Sequence, residues 1–134
     1  RCLINLPHPY AHYPQNTDPF LIKENKKLLN YIDCLEVLNG TLHRDRNLSA
    51  IKLNKKLKKA YTGGSDGHTL FQLGKVITIT ENTDIEGFLD YIKKHQNIVM
   101  GEEMHWVHRT WVQLIILKNA LKFKVKEKRI KRKE

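Results

Sequence analysis

The stretch GGSDGHTLFQLGKVITIT, residues 63–80, decides how this chain reads. Gly63-Gly64-Ser65-Asp66-Gly67 is dense turn chemistry and stops whatever precedes it. Beyond it, His68 to Leu73 and Val76 to Thr80 read as two strands. Gly74-Lys75 between them suits a two-residue hairpin that wants glycine first. Val76 to Thr80 is rich in β-branched side chains, which fit a pleated surface.

Upstream, Leu53, Leu57, Ala60 and Tyr61 form one apolar stripe, which predicts a helix between the polar connector 41–47 and the glycines. Its lysines, Lys52, Lys55, Lys56 and Lys59, recur at helical spacing on a separate stripe. Further upstream, Asp18 and Pro19 suit a helix start. Leu21, Leu28, Ile32 and Leu35 share a face, and Gly40 is a natural stop, so a helix is expected over 19–39. Pro7, Pro9 and Pro14 make residues 1–18 an extended arm.

Downstream, Thr83-Asp84-Ile85-Glu86 has the capping-box pattern, with Thr83 as cap, and predicts a helix from about Asp84 to His95. Asn97 to Met100 reads as a short buried strand. Met104, Val107, Trp111 and Leu114 keep helical spacing, so a helix is expected from Glu102 to about Leu117. Leu121, Phe123 and Val125 then alternate with Lys122, Lys124 and Lys126, a period of two that reads as a strand with an apolar face and a lysine face. The whole reads as an α+β fold: three to four helices on a small sheet containing a β-hairpin. It divides into an arm (1–18), a core (19–117) and a basic segment (118–134).

Charge is as localised as structure. The formal net charge is +10, and the excess sits in two places. Residues 44–59 carry 7 basic and 1 acidic residue, and residues 118–134 carry 9 and 2. Such patches attract a polyanion such as RNA, an anionic membrane surface or an acidic protein. The expected contacts are Lys52, Lys55, Lys56, Lys59, Lys122, Lys124, Lys126, Lys128, Arg129, Lys131, Arg132 and Lys133. Lysine in place of arginine argues for phosphate contact without base readout.

No catalytic, metal or cofactor constellation is expected. Glu102 and His105 make a single Glu-x-x-His unit where carboxylate metal sites need two. His105 and His108 are three apart, short of the zincin spacing. Ser65, Asp66 and His68 lack a nucleophile elbow and read as turn residues. Cys2 and Cys34 have no metal or redox spacing, though a single disulfide between them is possible in a secreted protein. Asn39-Gly40-Thr41 and Asn47-Leu48-Ser49 are glycosylation sequons.

Beginning at Arg1, the chain reads as processed or as a fragment. The functional expectation is a non-enzymatic subunit of a large assembly, an RNA-contacting organellar ribosomal protein with a mitochondrial address, bound to neighbouring protein subunits. That analogy rests on architecture and charge alone. The rivals are an accessory subunit of a mitochondrial respiratory complex and a secreted signalling or heparin-binding protein.

Overall fold

A computed structural model describes residues 2–11, 26–82 and 84–130. The elements are β1 (Asn5–Leu6), α1 (Lys26–Leu29), β2 (Cys34–Asn39), α2 (Arg44–Leu57), β3 (Ala60–Gly64), a 3-10 turn (Leu70–Gln72), β4 (Val76–Ile79), α3 (Ile85–Lys93), β5 (Ile98–Gly101) and α4 (Trp106–Ile130). The α+β class holds, as several helices and two small sheets.

The first sheet is parallel, in the order β1-β2-β3. A βαβ unit forms its centre: β2 runs into α2, which packs on β2 and returns the chain to β3. Cys34 and Leu35 are both fully buried. Successive strand side chains point to opposite faces, so β2 is covered on both. This corrects the helix expected over 19–39. Residues 34–39 are a strand; 26–29 form a single helical turn; 19–25 lie outside the described residues. A strand buried on both faces shows no alternation, and its Leu35 matched a helical spacing by coincidence.

The expected helix through Ala60 and Tyr61 ends earlier. Lys58 turns left-handed (φ 53°), and Ala60–Gly64 pairs with β2. The expected hairpin is also corrected. Residues 68–73 hold the 3-10 turn, and β4 pairs antiparallel with β5, on the far side of α3. Gly74 does make the turn before β4, with φ +76°. The short strand near Asn97 exists as β5, but Ile98 and Met100 are exposed, not buried.

Two hydroxyls join the sheets. Thr78 Oγ1 donates to the Gly63 carbonyl at 2.8 Å and accepts the Gly63 N–H at 2.9 Å. Ser65 Oγ donates to the Val76 carbonyl at 3.0 Å and accepts the Val76 N–H at 3.2 Å. This close approach requires glycine at 63, because a Cβ there would strike Val99 and Val76. Asn97 and Tyr61 add reciprocal bonds: Nδ2 to the Tyr61 carbonyl at 2.9 Å, and the Tyr61 hydroxyl to the Asn97 carbonyl at 3.1 Å.

On α3, Asp84 is the cap, accepting the Gly87 N–H at 2.8 Å. Thr83, the expected cap, lies outside the described residues. Ile92 and Phe88 of α3 pack with Cys34, Ala60 and Leu3. Residues 5–6 of the expected arm belong to the sheet, and Pro9 is fully buried, so this part of the arm lies on its own core; 12–18 lie outside the described residues.

Both cysteines are free, Cys2 exposed and Cys34 buried. Burial, reinforced by the charge of Asp33 and opposed by Lys93, pushes the Cys34 thiol up to about 12. A raised acid pKa holds the proton in the folded state, so this group's stabilising contribution is whole below the ordinary thiol range and is lost as pH rises toward 12. At about pH 8 a thiol reagent should modify one cysteine quickly and the second only on unfolding. Two rapid equivalents from the native chain would contradict the burial of Cys34. The sequon asparagines are equally inaccessible: Asn39 and Asn47 are buried and bonded to each other.

The C-terminal segment is the largest correction. Residues 121–126 lie within α4, not in a strand, so the two-face assignment of Phe123 and its neighbours fails. Alternation over six residues was outweighed by good helix formers on either side. Phe123 is 72% exposed. Phe123→Ala should therefore change stability by less than about 0.5 kcal/mol, as for other surface substitutions; a shift of several kcal/mol in urea denaturation would show a buried ring. No described helix is long and apolar enough to cross a membrane.

Candidate functional site

Three parallel strands end on the same side of their sheet. β1 leads into Pro7-His8-Pro9, β2 into Gly40-Thr41, and β3 into Ser65-Asp66-Gly67-His68. Ligands of parallel sheets bind outside such carboxyl ends. Here a cavity of about 450 Å³ opens, lined among others by His8, Thr41, Asp66, His68, Gln72 and Met104. His8 and Asp66 both have positive φ, 25° and 47°. Left-handed backbone in non-glycine residues costs energy, and it recurs at functional sites.

A polar network, buried at Glu36 and Asn39 and exposed at Asp66, lies beside the cavity. Glu36 Oε2 accepts the His8 backbone N–H at 2.7 Å and Asn39 Nδ2 at 3.1 Å. The same Nδ2 reaches Asp66 Oδ2 at 3.3 Å, and Thr41 Oγ1 lies 2.8 Å from that oxygen. Glu36 and Asn39 are three residues apart, so a regular strand would point them to opposite faces. The register shifts between Glu36 and Leu38, leaving Val37 as an extra residue that puts both side chains on one side. Gly64 contributes room, since a Cβ there would meet the Glu36 carboxylate.

Two carboxylates thus share one neutral amide, and among the described residues no Lys or Arg forms an ion pair with either. Two imidazoles, His8 and His68, line the same cavity. His8 Nδ1 is buried and has no hydrogen-bond partner among the described residues. His68 Nδ1 lies 2.8 Å from the Asp66 carbonyl oxygen. A carbonyl can only accept, so Nδ1 carries a proton, and in the neutral ring that leaves the lone pair on Nε2, a tautomer open to metal binding. Oxygen and imidazole donors suit a divalent ion such as zinc or manganese. The set is partial: among the described residues no three His, Cys, Asp or Glu side chains converge enough to hold a metal.

A second cavity, about 830 Å³, meets the first at Met104 and is lined by Arg44, Phe71, Lys75, Trp106, His108 and Trp111, among others. Glu102, Glu103 and His105 also line it. Phe71 contacts the rings of Trp111 and His108 at centroid distances of 6.1 and 6.2 Å. The Met104 N–H donates to the Gly40 carbonyl at 2.8 Å, which ties the α4 approach to the β2 end.

The expected lysine contacts lie elsewhere. Lys52, Lys55 and Lys56 are exposed on α2, whereas Lys59 follows the helix and is half-buried. Lys122 is exposed on α4; Lys124, Lys126, Lys128 and Arg129 lie in its last turns. Lys131, Arg132 and Lys133 lie outside the described residues. Of these, Lys52, Lys55, Lys56, Lys59 and Lys122 line neither cavity. Sequence reading gave His8, Glu36 and Asn39 no place in a site of this kind, Asn39 being read as a sequon residue, and read Asp66 and His68 as turn residues. The available signal was a polar, chemistry-bearing turn directly after a strand, and it needed that strand to be recognised.

Residues 44–97 match a protein-family model described as PHP-associated, over less than half of the chain. The chain is also similar to an uncharacterized protein of Methanocaldococcus jannaschii, 29% identical over 86 residues. The match covers 63% of this chain and 36% of that protein, so the chain spans about a third of its relative's length. No solved structure matches. These matches overturn the reading as a ribosomal or mitochondrial ribonucleoprotein: they lead to a PHP-associated region and an archaeal relative.

Proposed function

We propose that this chain is part of a divalent-metal-dependent hydrolase of the PHP kind, and that His8, Asp66 and His68 supply part of its metal site. One observation carries the reading. His8, whose buried Nδ1 has no partner among the described residues, lines the same cavity as Asp66 and His68, at the carboxyl edge of a parallel sheet. The similarity to a PHP-associated region supports it, since PHP proteins are hydrolases.

A divalent ion bound there would supply a Lewis acid to polarise the bond being cleaved. The chain's own residues do the rest. Asp66 offers a carboxylate already held on one oxygen. His68 offers Nε2, with its tautomer set by the Asp66 carbonyl. Glu36 fixes the His8 backbone and adds negative charge that favours a cation. The larger cavity beyond Met104 has room for the body of a substrate.

The test is titration with Co²⁺ followed by visible absorption. A saturable spectrum displaced by Zn²⁺ is expected. A spectrum unchanged by excess Co²⁺ would defeat the reading.

A further inference from the structure

We infer that Asn39 and Thr41 are positioning residues, which hold one oxygen of Asp66 and leave the other for a ligand; this rests on the metal reading above. Asn39 is 1% exposed, and its backbone is clasped by a single side chain. Asn47 Oδ1 accepts the Asn39 N–H at 3.0 Å, and Asn47 Nδ2 donates to the Asn39 carbonyl at 3.1 Å. The orientation of the Asn39 amide follows from chemistry. Its Oδ1 lies 2.9 Å from the Thr41 N–H, which can only donate. Nδ2 must therefore face the carboxylates, where its two hydrogens go one to Glu36 and one to Asp66.

Thr41 Oγ1 lies near two acceptors, Asn39 Oδ1 at 2.9 Å and Asp66 Oδ2 at 2.8 Å. A hydroxyl has one hydrogen, and the charged carboxylate is the stronger acceptor. Asp66 Oδ2 thus receives two donors, while among the described residues none reaches Oδ1. A carboxylate gripped on one oxygen and open on the other is set for one-oxygen ligation before any ion arrives. Through Glu36, the same amide also connects to the backbone of His8. Asn39 therefore links residues from three strand ends.

Thr41→Val removes the hydroxyl at nearly constant shape, and Thr41→Ser restores it. Thr41→Val should bind Co²⁺ about 10-fold more weakly, at the lower end of the usual loss for such partners. Thr41→Ser should bind as wild type does, and both should melt with it. In the metal-free protein, the Asn39 side-chain NH₂ protons should exchange slowly by NMR, and faster in Thr41→Val. Unchanged Co²⁺ affinity in Thr41→Val overturns the positioning role and leaves the metal reading standing. Freely exchanging Asn39 protons in wild type overturn the clamp whatever the metal does. A wild-type chain that ignores Co²⁺ removes the metal reading, and the positioning role with it.

Discussion

Asp66→Asn should weaken divalent-metal binding by more than about 100-fold while leaving the metal-free fold at least as stable as wild type. The first effect exceeds the 10–100-fold loss typical of a second-layer partner, because a charged donor itself is lost. The second follows from the network. Asp66 and Glu36 are two carboxylates bridged by one amide, with no Lys or Arg paired to either among the described residues. Like charges so placed repel, and removing one relieves the repulsion. Asparagine also tolerates the left-handed backbone that Asp66 adopts, so the turn should survive. Opposite signs of change in affinity and stability mark a site built for a ligand at the fold's expense. Co²⁺ titration and thermal melting of the same preparation check both. A marked drop in the melting temperature of Asp66→Asn, with affinity unchanged, would make Asp66 a structural turn residue and no more.

Leu35→Ala should cost about 2–5 kcal/mol in urea denaturation. Leu35 is fully buried on β2, the middle strand of the parallel sheet. Natural domains hold only about 5–15 kcal/mol in total, so this one truncation could consume much of the stability. The contrast with Phe123→Ala is the informative part. Both residues sit in apolar patterns, yet one is sealed in a sheet and the other is exposed on α4. Equal costs for the two would mean that α4 docks its outer face in solution.

Local chemistry was legible wherever an element announces its own ends. The turn at Gly74, β4 and the start of α3 were readable, because caps, turns and β-branched runs act within a few residues, whereas Gly63 and Gly64, expected in a turn, are paired in β3. The pairing of strands was not. β4 joins β5 across a helix, and β2 joins β1 and β3 in parallel, which no neighbouring residue dictates. Leu35 fell on the expected helical stripe by coincidence, which only burial on both faces of β2 exposes.

The site lay beyond sequence reading for the same reason. His8, Glu36, Asn39, Thr41, Asp66 and His68 are each unremarkable in their local context. The Thr41–Asp66 bond spans 25 positions and the His8–Glu36 bond 28. By itself, the sequence determined that this chain forms a mixed α and β fold with its charge gathered in two segments. Tertiary structure alone decided that three parallel strands end side by side and that a bulge at Val37 turns Glu36 and Asn39 the same way. The physical reason is that a parallel sheet draws its carboxyl ends from distant stretches of chain, and chemistry assembled there leaves no periodic trace in any one of them.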